Sequence, residues 1–149
     1  MEIHGTVRDI LQNKDAKIWT TGVHSTVYEA IHLMGEQNIG ALVVVEDGVV
    51  AGVISERDYS RKVVLLGRTS RGTLVGDIVA RPAITVQSSD GIETCMQLMT
   101  SNRIRHLPVV DDGTLVGLVS IGDLVSWVMQ SQRHTILQLQ GYIAGEYPG

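Results

Sequence analysis

Two short stretches carry residues suited to holding a phosphorylated, hydroxyl-bearing ligand: Ser55-Glu56-Arg57-Asp58 and Ser120-Ile121-Gly122-Asp123. Each follows an apolar run, so Ser-x-x-Asp stands where a strand gives way to a helix. A helix N-terminus presents unpaired N–H groups and a partial positive charge, which suit a phosphate, and the serine adds a hydroxyl donor. The carboxylate can accept from both hydroxyls of a diol, a pair of donors at fixed spacing. The same spacing also fits a capping box, in which serine and carboxylate satisfy free backbone N–H groups with no ligand at all. Spacing alone leaves both readings open.

The elements that must position these boxes are repeated. Shifted by 65 residues, Val27–Tyr59 lies over Ile92–Leu124 without a gap, with identities such as Leu33/Leu98, Ile39/Ile104, Asp47/Asp112, Gly52/Gly117, Ser55/Ser120 and Asp58/Asp123. Val27, Ala30, Ile31 and Met34 fall at helical spacing, matched by Ile92, Cys95, Met96 and Met99. The runs Ala41–Val45 and Val49–Ser55 flank Asp47-Gly48, and Leu107–Val110 and Leu115–Ser120 flank Asp112-Gly113; Asp-Gly between such runs signals a hairpin. A second helix is expected after each hairpin, near residues 56–66 and 121–132, and a short first strand near Ile18–Thr21 and Ala83–Val86. Thr6–Ile10 and Thr73–Ile78 resemble each other and extend the repeat.

The reading is an α/β (α+β) chain of two β-α-β-β-α repeats, residues 6–66 and 73–132, packed face to face with pseudo-two-fold symmetry. Gly67–Gly72 is a polar linker, residues 133–149 form a C-terminal helical extension, and Gly145–Gly149 is a loose tail. Each copy alone buries its apolar face poorly, so the copies should pack together and leave a ligand-sized seam.

The copies differ where chemistry would sit. Arg103-Ile104-Arg105-His106 replaces Asn38-Ile39-Gly40-Ala41, and Gly122 replaces Arg57. Arg105 and His106 can offer cationic or donor groups to phosphates; alternatively the arginines are solvated and His106 is packed. Arg57, Arg61, Lys62, Arg68 and Arg71 make a basic run, read as a solvated face or a phosphate site. Thr20 and Thr85 reach a ligand or are ordinary strand threonines. Cys95 aligns with Ala30, as a small buried hydrophobe would.

With 44% hydrophobic and 19% charged residues, a folded soluble domain is expected rather than disorder. A net charge of −4 argues against non-specific nucleic-acid binding. No apolar run is long enough to span a membrane, and Met1–Gly5 carries no signal pattern, so the expected location is cytoplasmic. The five histidines lack metal-ligand spacing, and no nucleophile–base set or phosphate-binding glycine loop stands out, so neither a metal nor an enzyme activity is expected.

Ile104-Arg105-His106-Leu107-Pro108-Val109-Val110-Asp111 with Gly117-Leu118-Val119-Ser120-Ile121-Gly122-Asp123-Leu124 resembles a CBS (cystathionine-β-synthase) motif. Ile39–Val45 with Gly52–Tyr59 resembles its sister, and together they look like a stand-alone CBS pair, or Bateman module. The resemblance implies an adenosyl ligand (AMP, ADP, ATP, NAD or S-adenosylmethionine) between the repeats, a homodimer, and a role as an energy or nucleotide sensor docking on a partner protein. It implies that Asp58 and Asp123 hold ribose. The Asp123 site would use Arg105, His106, Leu118 and Ser120 with Ser25 and Ile39 opposite, and would take the more strongly charged group. The Asp58 site would use Val53, Ser55 and Arg57 with Asp90 and Ile104 opposite, and has Gly40 and Ala41 in place of the basic pair. A ligand-free dimeric scaffold and a regulatory subunit acting on an enzyme in trans are the alternatives.

Overall fold

The computed structural model describes residues 3–14 and 17–143; the expected tail at Gly145–Gly149 lies outside them. The first described helix, α1 (Val7–Gln12), starts at Thr6, where the Asp9 carboxylate accepts from the Thr6 N–H at 2.9 Å. Strand β1 (Thr20–Gly22) follows, then α2 (Val27–Gln37), capped by the Thr26 hydroxyl and ended by Asn38 in the left-handed region at φ 54°. Strand β1 runs parallel to β2 (Ala41–Glu46), which pairs antiparallel with β3 (Val49–Ser55). The turn between β2 and β3 has both Asp47 and Gly48 at positive φ, 50° and 77°, the geometry an Asp-Gly hairpin demands.

The second copy repeats this with α5 (Ile92–Asn102), β4 (His106–Asp111) and β5 (Thr114–Ser120), turning through Asp112 and Gly113. The expected strand at Ala83–Val86 shrinks to one parallel bridge, Val86 to Val109. The cause is Pro108. In the first copy the Val43 N–H donates to the Trp19 carbonyl at 3.2 Å; Pro108 occupies the Val43 position and has no N–H to give.

Two further expectations change. The helix expected over residues 56–66 is a single turn, α3 (Glu56–Asp58), opening into a π-helical segment at Tyr59–Val64. The second copy instead runs on as α6 (Ile121–Ile143), so the C-terminal extension is no separate element. The polar linker is tied to α2. The Tyr28 N–H donates to the Ser70 carbonyl at 3.0 Å, and the Arg71 guanidinium lies 4.3 Å from the centre of the Tyr28 ring.

The buried cores cross the order of the repeats. Val7 and Ile10 of α1 pack with Ile92, Cys95, Leu107 and Leu124 of the second copy. Val75 and Ile78, from α4 (Val75–Ile78), pack with Val27, Met34, Leu42 and Ile54 of the first. Matching strand glycines admit the exchanged segments. A Cβ on Gly117 would lie 2.7 Å from a Leu11 methyl, and one on Gly52 would lie 2.5 Å from a Val79 methyl. The two hairpins meet along β3 and β4, so the seam is bordered by residues of both copies.

Candidate functional site

Both Ser-x-x-Asp sequences form complete capping boxes. The Ser55 N–H donates to Asp58 Oδ2 at 2.8 Å, and the Asp58 N–H donates to Ser55 Oγ at 3.3 Å. The corresponding distances at Ser120 and Asp123 are 2.8 and 3.1 Å. Capping and ligand binding are compatible, because an ionised carboxylate has about four lone-pair sites. At Asp58 the caps use Oδ2 alone, while Oδ1 faces Lys62 Nζ at 3.5 Å.

Asp58 and Ser55 open onto a cleft of about 310 Å³ between the copies. Five cationic side chains border it: Arg57, Arg61 and Lys62 from the first copy, Arg103 and Arg105 from the second. The widened π-helical segment carries two of them, Arg61 and Lys62. Among the described residues no salt bridge engages Arg57, Arg61, Arg103 or Arg105. Val53, Pro82, Ala83, Ile84 and Ile104 supply an apolar stretch of the wall.

The second cleft, about 300 Å³, is bordered by Ile39, Gly40 and Ala41 from the first copy and by Leu118 and Ser120 from the second. Trp19, Lys14 and Lys17 close it on the N-terminal side. Here Lys14 Nζ donates to Asp123 Oδ2 at 2.7 Å and to the Leu118 carbonyl at 2.9 Å. His106 borders both clefts.

This arrangement corrects the grouping of residues drawn from the sequence. Arg105, expected beside Asp123, lies with Arg103 and Ile104 on the Asp58 cleft. Because β3 and β4 lie side by side, the segment leading into β4 sits over the end of β3, where the Asp58 helix begins. The strongly basic site is therefore the one closed by Asp58. Ser25 and Thr20 border a separate shallow depression with Glu29 and Leu33. Asp90 accepts from the Gln87 N–H at 2.7 Å, and neither it, Thr85 nor Gly122 borders either cleft; Asp123 itself stands behind the second cleft, joined to its lining through Lys14 and Ser120. Lys14 was not singled out: only the folding of α1 onto the second copy brings it to Asp123, and nothing in its neighbours in sequence signals that.

Charge shapes both sites. Desolvation, then crowding by Arg105 and Arg61, lowers the Arg57 guanidinium from its usual range, although Asp58 opposes this. Burial lowers the His106 imidazole from its ordinary value, helped by Lys14 and Arg105 and opposed by Asp123 and Asp58, which favours its neutral form. Partial burial alone would raise the Asp123 carboxyl. Hydrogen bonds from Lys14 and Ser120 outweigh burial and hold it below the ordinary range. Cys95, buried in the core, is pushed up to about 11 and is inert as a thiol at neutral pH.

Two hairpin-and-helix repeats, each opening a Ser-x-x-Asp helix onto a shared seam, define a tandem regulatory module. The CBS domain profile matches residues 6–64 and 75–130, and the chain belongs to the CBS-domain family. It is 43% identical to the mitochondrial CBS domain-containing protein CBSX3 of Arabidopsis thaliana, over 95% of this chain and 73% of that one. A solved CBS-domain structure from Burkholderia ambifaria, assigned to signal transduction, is 47% identical with a TM-score of 0.81, covering 86% of this chain and 96% of that one. Hypoxic Response Protein I, solved with two coordinated zinc ions, is 27% identical with a TM-score of 0.70, covering 82% of this chain and 98% of that one. In the present chain no group of three His, Cys, Asp or Glu side chains that could hold a metal occurs among the described residues. Nor is any helix among them long and apolar enough to cross a membrane.

Proposed function

We propose that this chain is a non-catalytic regulatory module that binds an adenosyl polyphosphate in the Asp58 cleft. One observation carries the reading: a helix-start carboxylate, an apolar wall and five cations converge on a single cleft. Asp58 suits the ribose diol, and the apolar wall formed by Val53, Pro82, Ile84 and Ile104 suits a flat base. Arg57, Arg61, Lys62, Arg103 and Arg105 suit a chain of phosphates, since charge-assisted bonds to phosphate are the strong ones. Each added phosphate gains from the cations, so affinity should rise from AMP to ADP to ATP. NAD, with its two phosphates, falls in between, and the sulfonium of S-adenosylmethionine is repelled. Because both copies border the cleft, a ligand that prefers one relative pose of the hairpins shifts that pose and alters partner docking.

A thermal-shift panel tests this. A ligand at about a hundred times its Kd stabilises by about 2.7 kcal/mol, several degrees of Tm. ATP should give the largest rise and S-adenosylmethionine none at millimolar concentration. No rise with any of AMP, ADP, ATP or NAD would overturn the reading. It would favour instead the ligand-free scaffold, which the completed capping boxes also fit, or a subunit regulating an enzyme in trans.

The module is further proposed to act as a homodimer through its helical edges. Val64, Leu65 and Leu66 are 52, 76 and 62% exposed, and Val125, Met129 and Leu137 add apolar surface on α6. Light scattering should give twice the 16.2 kDa chain mass; a monomer at micromolar concentration would refute the dimer.

A further inference from the structure

The two clefts differ in what already occupies them. By the 65-residue repeat, Asp123 and Leu118 are the counterparts of Asp58 and Val53. In the second cleft one side chain engages both: Lys14 Nζ holds the Asp123 carboxylate at 2.7 Å and the Leu118 carbonyl at 2.9 Å. The pair is sheltered, with the two side chains 29 and 22% exposed. In the Asp58 cleft, by contrast, Lys62 stands 3.5 Å from Asp58 Oδ1 and donates its hydrogen bond to the Ile78 carbonyl, away from Val53.

We infer that Lys14 is a built-in occupant of the Asp123 cleft, blocking a second nucleotide and leaving one site per chain. This rests on the reading of the Asp58 cleft as a nucleotide site. A ribose diol arriving at Asp123 finds Oδ2 already accepting from Lys14 Nζ and the Ser120 N–H, so it can use both carboxylate oxygens only by displacing a covalently tethered ammonium group. Tethering sets an effective concentration on the order of millimolar or above, which a ligand present at cellular levels has to outcompete. Displacement also strips Lys14 of both acceptors at once, in a cleft that already contains Lys17. Substituting Lys14 removes the competitor and leaves Asp123, Ser120 and the apolar wall of Trp19, Ile39 and Leu118 in place.

The inference is tested by titrating ATP, by calorimetry, into four proteins: wild type, Asp58→Ala, Lys14→Ala and the double variant Lys14→Ala/Asp58→Ala. The expected results per chain are one site, that site weakened at least about tenfold, two sites, and two sites of which the Asp58 one is weakened. Lys14→Arg, which keeps a tethered cation, should stay at one, and thermal melts of every variant establish that it is folded. Two equivalents on the wild type would overturn the inference, because Lys14 would then serve the phosphates as a counter-ion. A double variant that is folded but binds nothing would overturn it as well. If the wild type binds nothing while the double variant binds one equivalent, the Asp58 reading fails and the role of Lys14 stands.

Discussion

Asp58→Asn should weaken ATP binding about tenfold and Arg105→Ala between about tenfold and a hundredfold, while Asp123→Asn should change it less than about threefold. A hydrogen bond to a charged partner contributes about 1.5–3 kcal/mol, and about 1.4 kcal/mol is a factor of ten in Kd. Asparagine is chosen at position 58 because its side-chain oxygen can still accept from the Ser55 N–H, so the helix start survives and the loss reports the charge. Arg105 lines the Asp58 cleft from the second copy and has no carboxylate partner among the described residues. Its removal should cost ATP more than AMP, since only the longer chain of phosphates extends across the seam. Asp123 is already engaged by Lys14 and lies on the other cleft's side. Calorimetric titration of the three variants decides the matter. Equal losses at Asp58 and Asp123, or an Arg105→Ala protein that binds ATP normally, would sink the assignment of the basic cleft.

That ranking is the reverse of the one drawn from the residues alone, and the reason is instructive. What is local was legible. The Asp-Gly pairs fix their turns through two consecutive positive-φ positions, and the Ser-x-x-Asp spacing fixes the helix starts. The helical spacing of Val27, Ala30 and Met34 marks the buried face of α2. The repeat likewise implied a seam between copies. What was not legible depends on which copy reaches which cleft. Arg105 precedes the strand that leads to Asp123 in sequence, yet it faces Asp58 because β4 adjoins β3. Lys14 follows a helix that belongs to the other copy's core. Pro108 was read as part of a motif, while its missing N–H, which removes most of a neighbouring strand, acts only through a partner at position 84. Each of these is a relation between distant segments, and periodicity carries no signal of it.

The exchange of α1 and α4 between cores leads to the largest expected effect on stability. Ile10→Ala should destabilise the protein by about 2–5 kcal/mol, the usual result of emptying a buried aliphatic site, against about 5–15 kcal/mol of total stability for a domain. Ile10 is 5% exposed and packs in the core of β4, β5 and α5, so the damage should appear there and not in its own sequence repeat. Hydrogen exchange should find the amides of β4 and β5 losing protection before those of β2 and β3. Ile78→Ala, its counterpart in the other core, should show the opposite order, loosening β2 and β3 first. Identical protection losses in both hairpins for both variants would mean that the two cores open as one unit, and the exchange would then have no local consequence. If the orders differ as expected, the Asp58 cleft gains a mechanical meaning. Its cations come from Arg57, Arg61 and Lys62 on one core and from Arg103 and Arg105 at the edge of the other. A phosphate chain bound across them ties together two units that otherwise open separately, and should restore protection to whichever hairpin the substitution has loosened.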